Sequence, residues 1–131
     1  MSCNFLLADF IAHVKNCVLA KLQYASFKYS RLIESVCVIL KEDGYILDYD
    51  VFGDGISKLV RVKLTYYKGV SAIQKFNVIS KPSRRLYVKS KDLKPYKNGM
   101  GLMILSTSSG VMSYRDAVKE KVGGEMLCVV F

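Results

Sequence analysis

The chain has 131 residues, a formal net charge of +9 and 51% hydrophobic residues. That is enough apolar material for one ordinary domain or two small subdomains sharing an interface, and it excludes a disordered tail. No apolar run approaches the roughly 20 residues of a membrane-spanning helix, so no membrane span is expected; the longest run, Met126 to Phe131, suits a buried strand.

The opening residues lack a basic leader and carry Asp9 inside the first apolar stretch, so a secretory signal is not expected and the chain reads as cytosolic. Cys3, Cys17, Cys37 and Cys128 form no C-x-x-C pair and read as free thiols filling apolar positions. With His13 as the one imidazole, neither a metal site nor any other cofactor is expected. Charge is spread unevenly: residues 1–66 hold eight Lys/Arg against seven Asp/Glu, and residues 67–131 hold twelve against four. Between Lys68 and Lys97 nine basic residues accompany one acid, Asp92. So one-sided a field favours a polyanionic partner such as RNA, DNA or an acidic membrane surface; an ordinary solvated surface is the plainer alternative.

Taken in chain order, Leu7, Phe10, Ile11, Val14, Cys17 and Val18 recur at helical spacing and predict an amphipathic helix from Asn4 to Ala20, with His13 beside its apolar stripe. Tyr24 to Tyr29 reads as a short strand. Ser30 is a natural N-cap for a second helix that has Glu34 in its first turn, buries Leu32, Ile33, Val36, Ile39 and Leu40, and stops at Gly44. A period-two strand follows, with Tyr45, Leu47, Tyr49 and Val51 on one face and Ile46, Asp48 and Asp50 on the other. Phe52 to Gly55 is a turn, and a second strand turns Val60, Val62, Leu64 and Tyr66 inward. Lys68 to Ser71 marks a boundary. Beyond it, Ile73 to Ile79 and Arg85 to Lys89 read as strands around a Lys81-Pro82-Ser83 turn. Asp92 to Tyr96 forms a single turn, and Asn98 to Gly101 breaks the structure. Leu102 to Leu105 is a buried strand that runs into a Ser106–Gly110 loop. Ser113 and Asp116 form a capping pair for a short helix reaching Lys121, Gly123-Gly124 ends that helix, and Glu125 to Phe131 closes as a strand.

Catalysis fails on inventory. A serine or cysteine nucleophile needs a base, and His13 lies far in sequence from any candidate. Asp48 and Asp50 share a strand face, but that spacing is also the solvent face of a hairpin. Gly99-x-Gly101 is too short for a phosphate-binding fingerprint. The parts suit RNA better. Ser106, Thr107, Ser108 and Ser109, bounded by Gly110, carry short hydroxyls that both donate and accept, as base edges and ribose 2′-OH groups require. Lys81, Arg84, Arg85 and Lys89, interleaved with Tyr87, supply phosphate contacts and a ring that stacks. Read singly, the serine run is turn chemistry and Tyr87 is a packed strand residue; with the charge asymmetry, RNA becomes the better reading.

The C-terminal third, Asn98-Gly99-Met100-Gly101-Leu102, Ile104 to Ser108, Gly110-Val111-Met112 and Val122 to Cys128, resembles the bacterial-type small-subunit ribosomal protein S-eight family. Weaker similarity at Ala8-Asp9, Lys15-Asn16, Leu40 to Ile46, Ser80-Lys81-Pro82 and Tyr87-Val88 extends the resemblance over the whole chain. It implies a structural, non-enzymatic protein that binds the central domain of small-subunit ribosomal RNA, supports subunit assembly and represses its own operon mRNA. It also implies neighbours around proteins S-five and S-twelve/S-seventeen. The implied RNA surface gathers Lys81, Pro82, Arg84, Arg85, Tyr87 and Lys89 with Ser106, Thr107, Ser108, Ser109, Gly110, Met112, Gly123, Gly124 and Glu125. Glu125, an acid in a basic surface, is expected to accept hydrogen bonds from loop hydroxyls or amides rather than to meet phosphate. Ser109 stands where a lysine commonly follows the Ser-Thr-Ser run, Asn77-Val78 where a basic pair is usual, and Ser83 where glycine is common. Tyr114 stands in place of a typical Asp.

The expected fold is α+β: an N-terminal α-β-α-β-β subdomain over residues 1–67, packed on a mainly β RNA-binding subdomain with one short helix over residues 72–131. The competing reading is a protein-interaction module with non-specific polyanion binding.

Overall fold

A computed structural model describes residues 3–80, 84–95 and 100–131, with side chains from Leu6 onward. Helix α1 (Cys3–Leu19) buries Leu7, Phe10, Ile11, Val14 and Cys17, the stripe its spacing predicts. It closes with Lys21 in the left-handed region (φ +56°), Lys21 N–H donating to the Val18 carbonyl and Leu22 N–H to that of Cys17. This pairing is the one that usually recruits glycine. Strand β1 (Tyr24–Lys28) leads to α2 (Arg31–Glu42). The Ser30 hydroxyl accepts from Leu32 N–H at 3.2 Å, and Gly44 (φ +81°) ends the helix, both as expected.

Strands β2 (Ile46–Phe52) and β3 (Leu59–Leu64) complete an antiparallel sheet of order β1-β3-β2, with both helices on one side. The alternation expected for β2 is corrected at its start. Ile46 opposes Leu64, but Asp48 opposes Lys63, so Leu47 is the extra residue of a bulge. A bulge reverses the parity of what precedes it. Ile46 is therefore buried with Tyr49 and Val51 turned inward, while Leu47 is 54% exposed.

The expected boundary at Lys68 to Ser71 is a tight hairpin. β4 (Tyr66–Tyr67) pairs with β5 (Val70–Ser71), and Lys68 and Gly69 both take positive φ, so Tyr66 belongs to this hairpin and not to β3. Both central residues left-handed is the two-residue turn that matches strand twist.

The remaining elements are β6 (Phe76–Val78), β7 (Tyr87–Val88), a 3-10 turn at Ser90–Asp92, β8 (Leu102–Thr107), β9 (Gly110–Ser113), α3 (Tyr114–Glu120) and β10 (Gly124–Val130). The single turn expected at Asp92 to Tyr96 thus sits earlier; Tyr96, Asn98 and Gly99 lie outside the described residues. β6 is shorter than the expected strand: Lys75 still exchanges both main-chain bonds with Phe131, but Gln74 N–H turns to that same Phe131 carbonyl and leaves the register. α3 starts as predicted, with Asp116 N–H donating to the Ser113 hydroxyl. It also ends where expected, at Lys121, but Lys121 itself takes the left-handed cap (φ +58°) and Gly123-Gly124 has another task.

One core cluster runs from Leu7 through Ile33, Val62 and Ile104 to Val130, so residues from both halves of the chain share it. A smaller cluster of Leu105, Met112 and Ala117 lies beneath α3. Cys17, Cys37 and Cys128 are free and buried, and burial pushes the Cys37 and Cys128 thiols up to about 12. Among the described residues no helix is long and apolar enough to cross a membrane. Because the main core is common to both halves, Ile104→Ala is expected to cost about 2–5 kcal/mol. It should do so through one transition seen alike by far-UV circular dichroism and tyrosine fluorescence in urea; two resolved transitions would contradict a shared core.

Candidate nucleic-acid interface

β10 is the axis of the C-terminal sheet. β8 lies along one side of it; on the other, β6 flanks its C-terminal half and β7 its beginning. β9 extends the sheet beyond β8. The register sets Tyr87 opposite Glu125, Glu125 opposite Ser106, and Ser106 opposite Val111. Directly opposed residues in antiparallel strands share a face, so these four form one row. Further along β8 the same face carries Ile104 and Leu102 into the main core. The polar row therefore continues a buried face past the edge of the core. Tyr87 is 66% exposed, whereas Glu125 and Ser106 are half-buried.

The next row runs Val88, Gly124, Thr107 and Gly110. A side chain at Gly124 would strike the Ser106 carbonyl oxygen and lie 3.1 Å from Thr107 Cα. One at Gly123 would strike the Val88 carbonyl oxygen and lie 2.8 Å from Ser90 N. Neither glycine has a positive φ; each is needed for close backbone approach, not to stop a helix.

The expected Ser106–Gly110 loop is smaller than its sequence suggests. Ser106 and Thr107 end β8, Ser108 and Ser109 make the turn, and Gly110 (φ +114°) begins β9. The Thr107 hydroxyl donates to the Gly110 carbonyl at 2.9 Å and accepts from Ser109 N–H at 3.1 Å. Thr107 therefore shapes the turn, while Ser108 and Ser109 are exposed and their hydroxyls bond nothing among the described residues.

Between β6 and β7 the chain leaves β10 and returns. Ile79 N–H donates to the Leu127 carbonyl on departure, and Met126 N–H donates to the Leu86 carbonyl on return. The mouth of this excursion is tied by Ser80, buried at 1% exposure: its hydroxyl donates to the Leu86 carbonyl at 3.2 Å and accepts from Leu86 N–H at 2.9 Å. Arg84 and Arg85, within the excursion, and Lys89, just past β7, are all exposed. Lys81 and Pro82 lie outside the described residues. Met112 is only 7% exposed and supports the surface from the small cluster without reaching it.

A model of the ribosomal protein S8 family matches residues 6–131. The chain is 41% identical to the small ribosomal subunit protein uS8 of Campylobacter hominis over 129 residues, 98% of each chain. It is 36% identical to that of Ruthia magnifica over all 131 residues, 100% of each, and 35% identical to that of Helicobacter acinonychis over 98% of each. The chain belongs to the ribosomal protein S8 family.

Members of the S8 family are structural ribosomal proteins, not enzymes, and the chain's carboxylates fit that role. Asp48 pairs with Lys41 at 3.0 Å and Asp50 with Arg61 at 3.6 Å, all on exposed side chains. The hydrogen bond from Lys41 holds the Asp48 carboxyl below its usual range. His13 packs against the Phe27 ring with its Nε2 3.7 Å from the Cys17 thiol.

Two positioning residues were hidden from sequence reasoning. Ser80 enters the sequence reading only within the Ser80-Lys81-Pro82 resemblance, and Thr107 only as one hydroxyl of a reading loop. Ser80→Ala leaves the Leu86 amide and carbonyl without that partner and is expected to cost about 1–3 kcal/mol, with faster hydrogen exchange across residues 80–87. Gly124→Ala is expected to destabilise by at least about 1–3 kcal/mol, because backbone and not a yielding side chain lies in the way. Urea unfolding of both variants checks this; a neutral Gly124→Ala would mean that β8 and β10 can part without loss.

Proposed function

We propose that this chain is a structural constituent of the small ribosomal subunit that binds the central domain of its ribosomal RNA and supports assembly. The observation that carries this reading is the row Tyr87–Glu125–Ser106, flanked by the Ser108-Ser109 turn and by the exposed Arg84, Arg85 and Lys89. The wide, shallow minor groove of A-form RNA presents 2′-hydroxyls and base edges, which short hydroxyl side chains meet at close range. The basic excursion supplies phosphate contacts, and these give affinity and orientation without reading sequence. Tyr87 offers a ring for stacking or a hydroxyl for bonding. Glu125, between Tyr87 and Ser106, keeps the row in shape; a carboxylate repels phosphate and so takes no part in phosphate contact.

The same surface is the natural reader of a second RNA with equivalent shape, and repression of the operon mRNA belongs to this proposal, as do protein neighbours around S-five and S-twelve/S-seventeen. The division into residues 1–67 and 72–131 assigns RNA contact to the second part, where the positive charge lies. The test is binding of the purified protein to a central-domain ribosomal RNA helix and to a scrambled helix, across a salt series. Ser108→Ala should weaken the cognate helix about five-fold, as loss of a hydrogen bond worth about 1 kcal/mol implies, and leave the scrambled one unchanged. Arg84→Ala should weaken both alike and lower the salt slope by about one ion. Equal wild-type affinity for the two helices would instead favour non-specific polyanion binding.

A further inference from the structure

Two segments meet where β7 ends. The place a side chain would take at Gly123 lies 2.8 Å from Ser90 N and 2.9 Å from Lys89 Cα, so the chain leaving α3 runs directly against the Ser90–Asp92 turn. Leu93 and Val122 pack against the same small cluster of Leu105, Met112 and Ala117, which holds the two segments together. Residues 88–94 and 119–122 contain five lysines against two acids, Asp92 and Glu120. All seven are exposed, and among the described residues none of them is in an ion pair. The excess positive charge is therefore open to an outside anion. Lys121 takes the left-handed conformation (φ +58°) that ends α3, where glycine would avoid the crowding of a Cβ. A cation near a helix C-terminus is favourable by itself, but Lys119 in the last turn already supplies one.

The register places this patch relative to the row Tyr87–Glu125–Ser106. β7 and β10 are antiparallel, with Tyr87 opposite Glu125 and Val88 opposite Gly124. Arg84 and Arg85 therefore lie on one side of the row, towards Met126. Lys89, the turn that carries Lys91, and Lys121 lie on the other side, beyond Gly124. We propose that Lys89, Lys91 and Lys121 hold the second phosphate backbone of the RNA helix whose first backbone meets Arg84 and Arg85. This rests on the RNA-binding reading and deepens it, from a row with one basic flank to a clamp on both strands. A minor groove is bordered by a phosphate backbone on each side, so a polar row laid in it with cations on both sides meets both. An acidic protein segment would answer the lysines but leave the intervening Ser106 hydroxyl and Tyr87 ring unused.

The test uses the full chain and the central-domain helix, sparsely ethylated at its phosphates and end-labelled on one strand or the other. The double variant Lys91→Ala, Lys121→Gly is compared with Arg84→Ala and the wild type. Glycine relieves the left-handed position, so the double variant should unfold in urea no earlier than the wild type. Its binding should nonetheless weaken, with a salt slope lower by about two ions and the preference over a scrambled helix kept. Wild type should show interference from ethylated phosphates on both strands. The double variant should lose it on one strand and Arg84→Ala on the other. An unchanged salt slope, wild-type interference confined to one strand, or loss on the same strand in both variants would each overturn the clamp. Equal wild-type affinity for cognate and scrambled helices would instead remove the RNA-binding reading on which the clamp rests.

Discussion

The outward surface of the C-terminal sheet depends on how closely β7 and β8 approach β10 at Gly123 and Gly124. At each glycine the space a Cβ would occupy is filled by a neighbouring main chain, that of Val88 to Ser90 for Gly123 and that of Ser106 and Thr107 for Gly124. Backbone cannot step aside as a flexible side chain can, so any substituent there forces the strands apart. With the strands together, Tyr87, Glu125 and Ser106 fall into one row and the Ser108-Ser109 turn is carried to its end. With them apart, the same residues would belong to three unrelated segments.

That row inherits its rigidity from the core. The face of β8 that buries Leu102 and Ile104 is the face that presents Ser106, and α3 covers the opposite face over Leu105 and Met112. A recognition surface fixed on packed strands holds its geometry better than one on a free loop. What resembled a five-residue hydroxyl loop is a two-residue turn whose shape is held from inside by Thr107. Among the described residues, only the Thr107 hydroxyl of that stretch is engaged in shaping the turn.

Charge is handled differently in the two halves. In the N-terminal half Lys41, on α2, and Arg61, on β3, are engaged by Asp48 and Asp50, and Arg61 also lies over the Tyr24 and Phe52 rings. Exposed pairs of this kind stabilise little, but they leave that half nearly neutral towards a distant polyanion. In the C-terminal half the basic residues outnumber the acids threefold, and Arg84 and Arg85 sit on an excursion tied at its mouth by Ser80. Long-range attraction and the place where it is delivered are thus set by different residues.

The sequence by itself determined the three helices, their Ser30 and Ser113 caps, the Gly44 stop, the placing of most strands and the family, because apolar period, capping chemistry and local motifs act over a few residues. It also carried the charge asymmetry that points to RNA. Tertiary structure decided the rest. The bulge at Leu47 depends on the register with β3. Lys21 and Lys121 close helices in a conformation glycine usually takes, and their identity gives no sign of it. β9 was concealed within a serine-rich stretch, since pairing with β8, not propensity, makes it a strand. The purposes of Ser80, Thr107 and the Gly123-Gly124 pair are fixed by contacts with residues distant in sequence or by hydrogen bonds that exist only in the folded turn. Local physics reads from a string of residues; close approach and satisfaction of buried polar groups exist only when the strands have met.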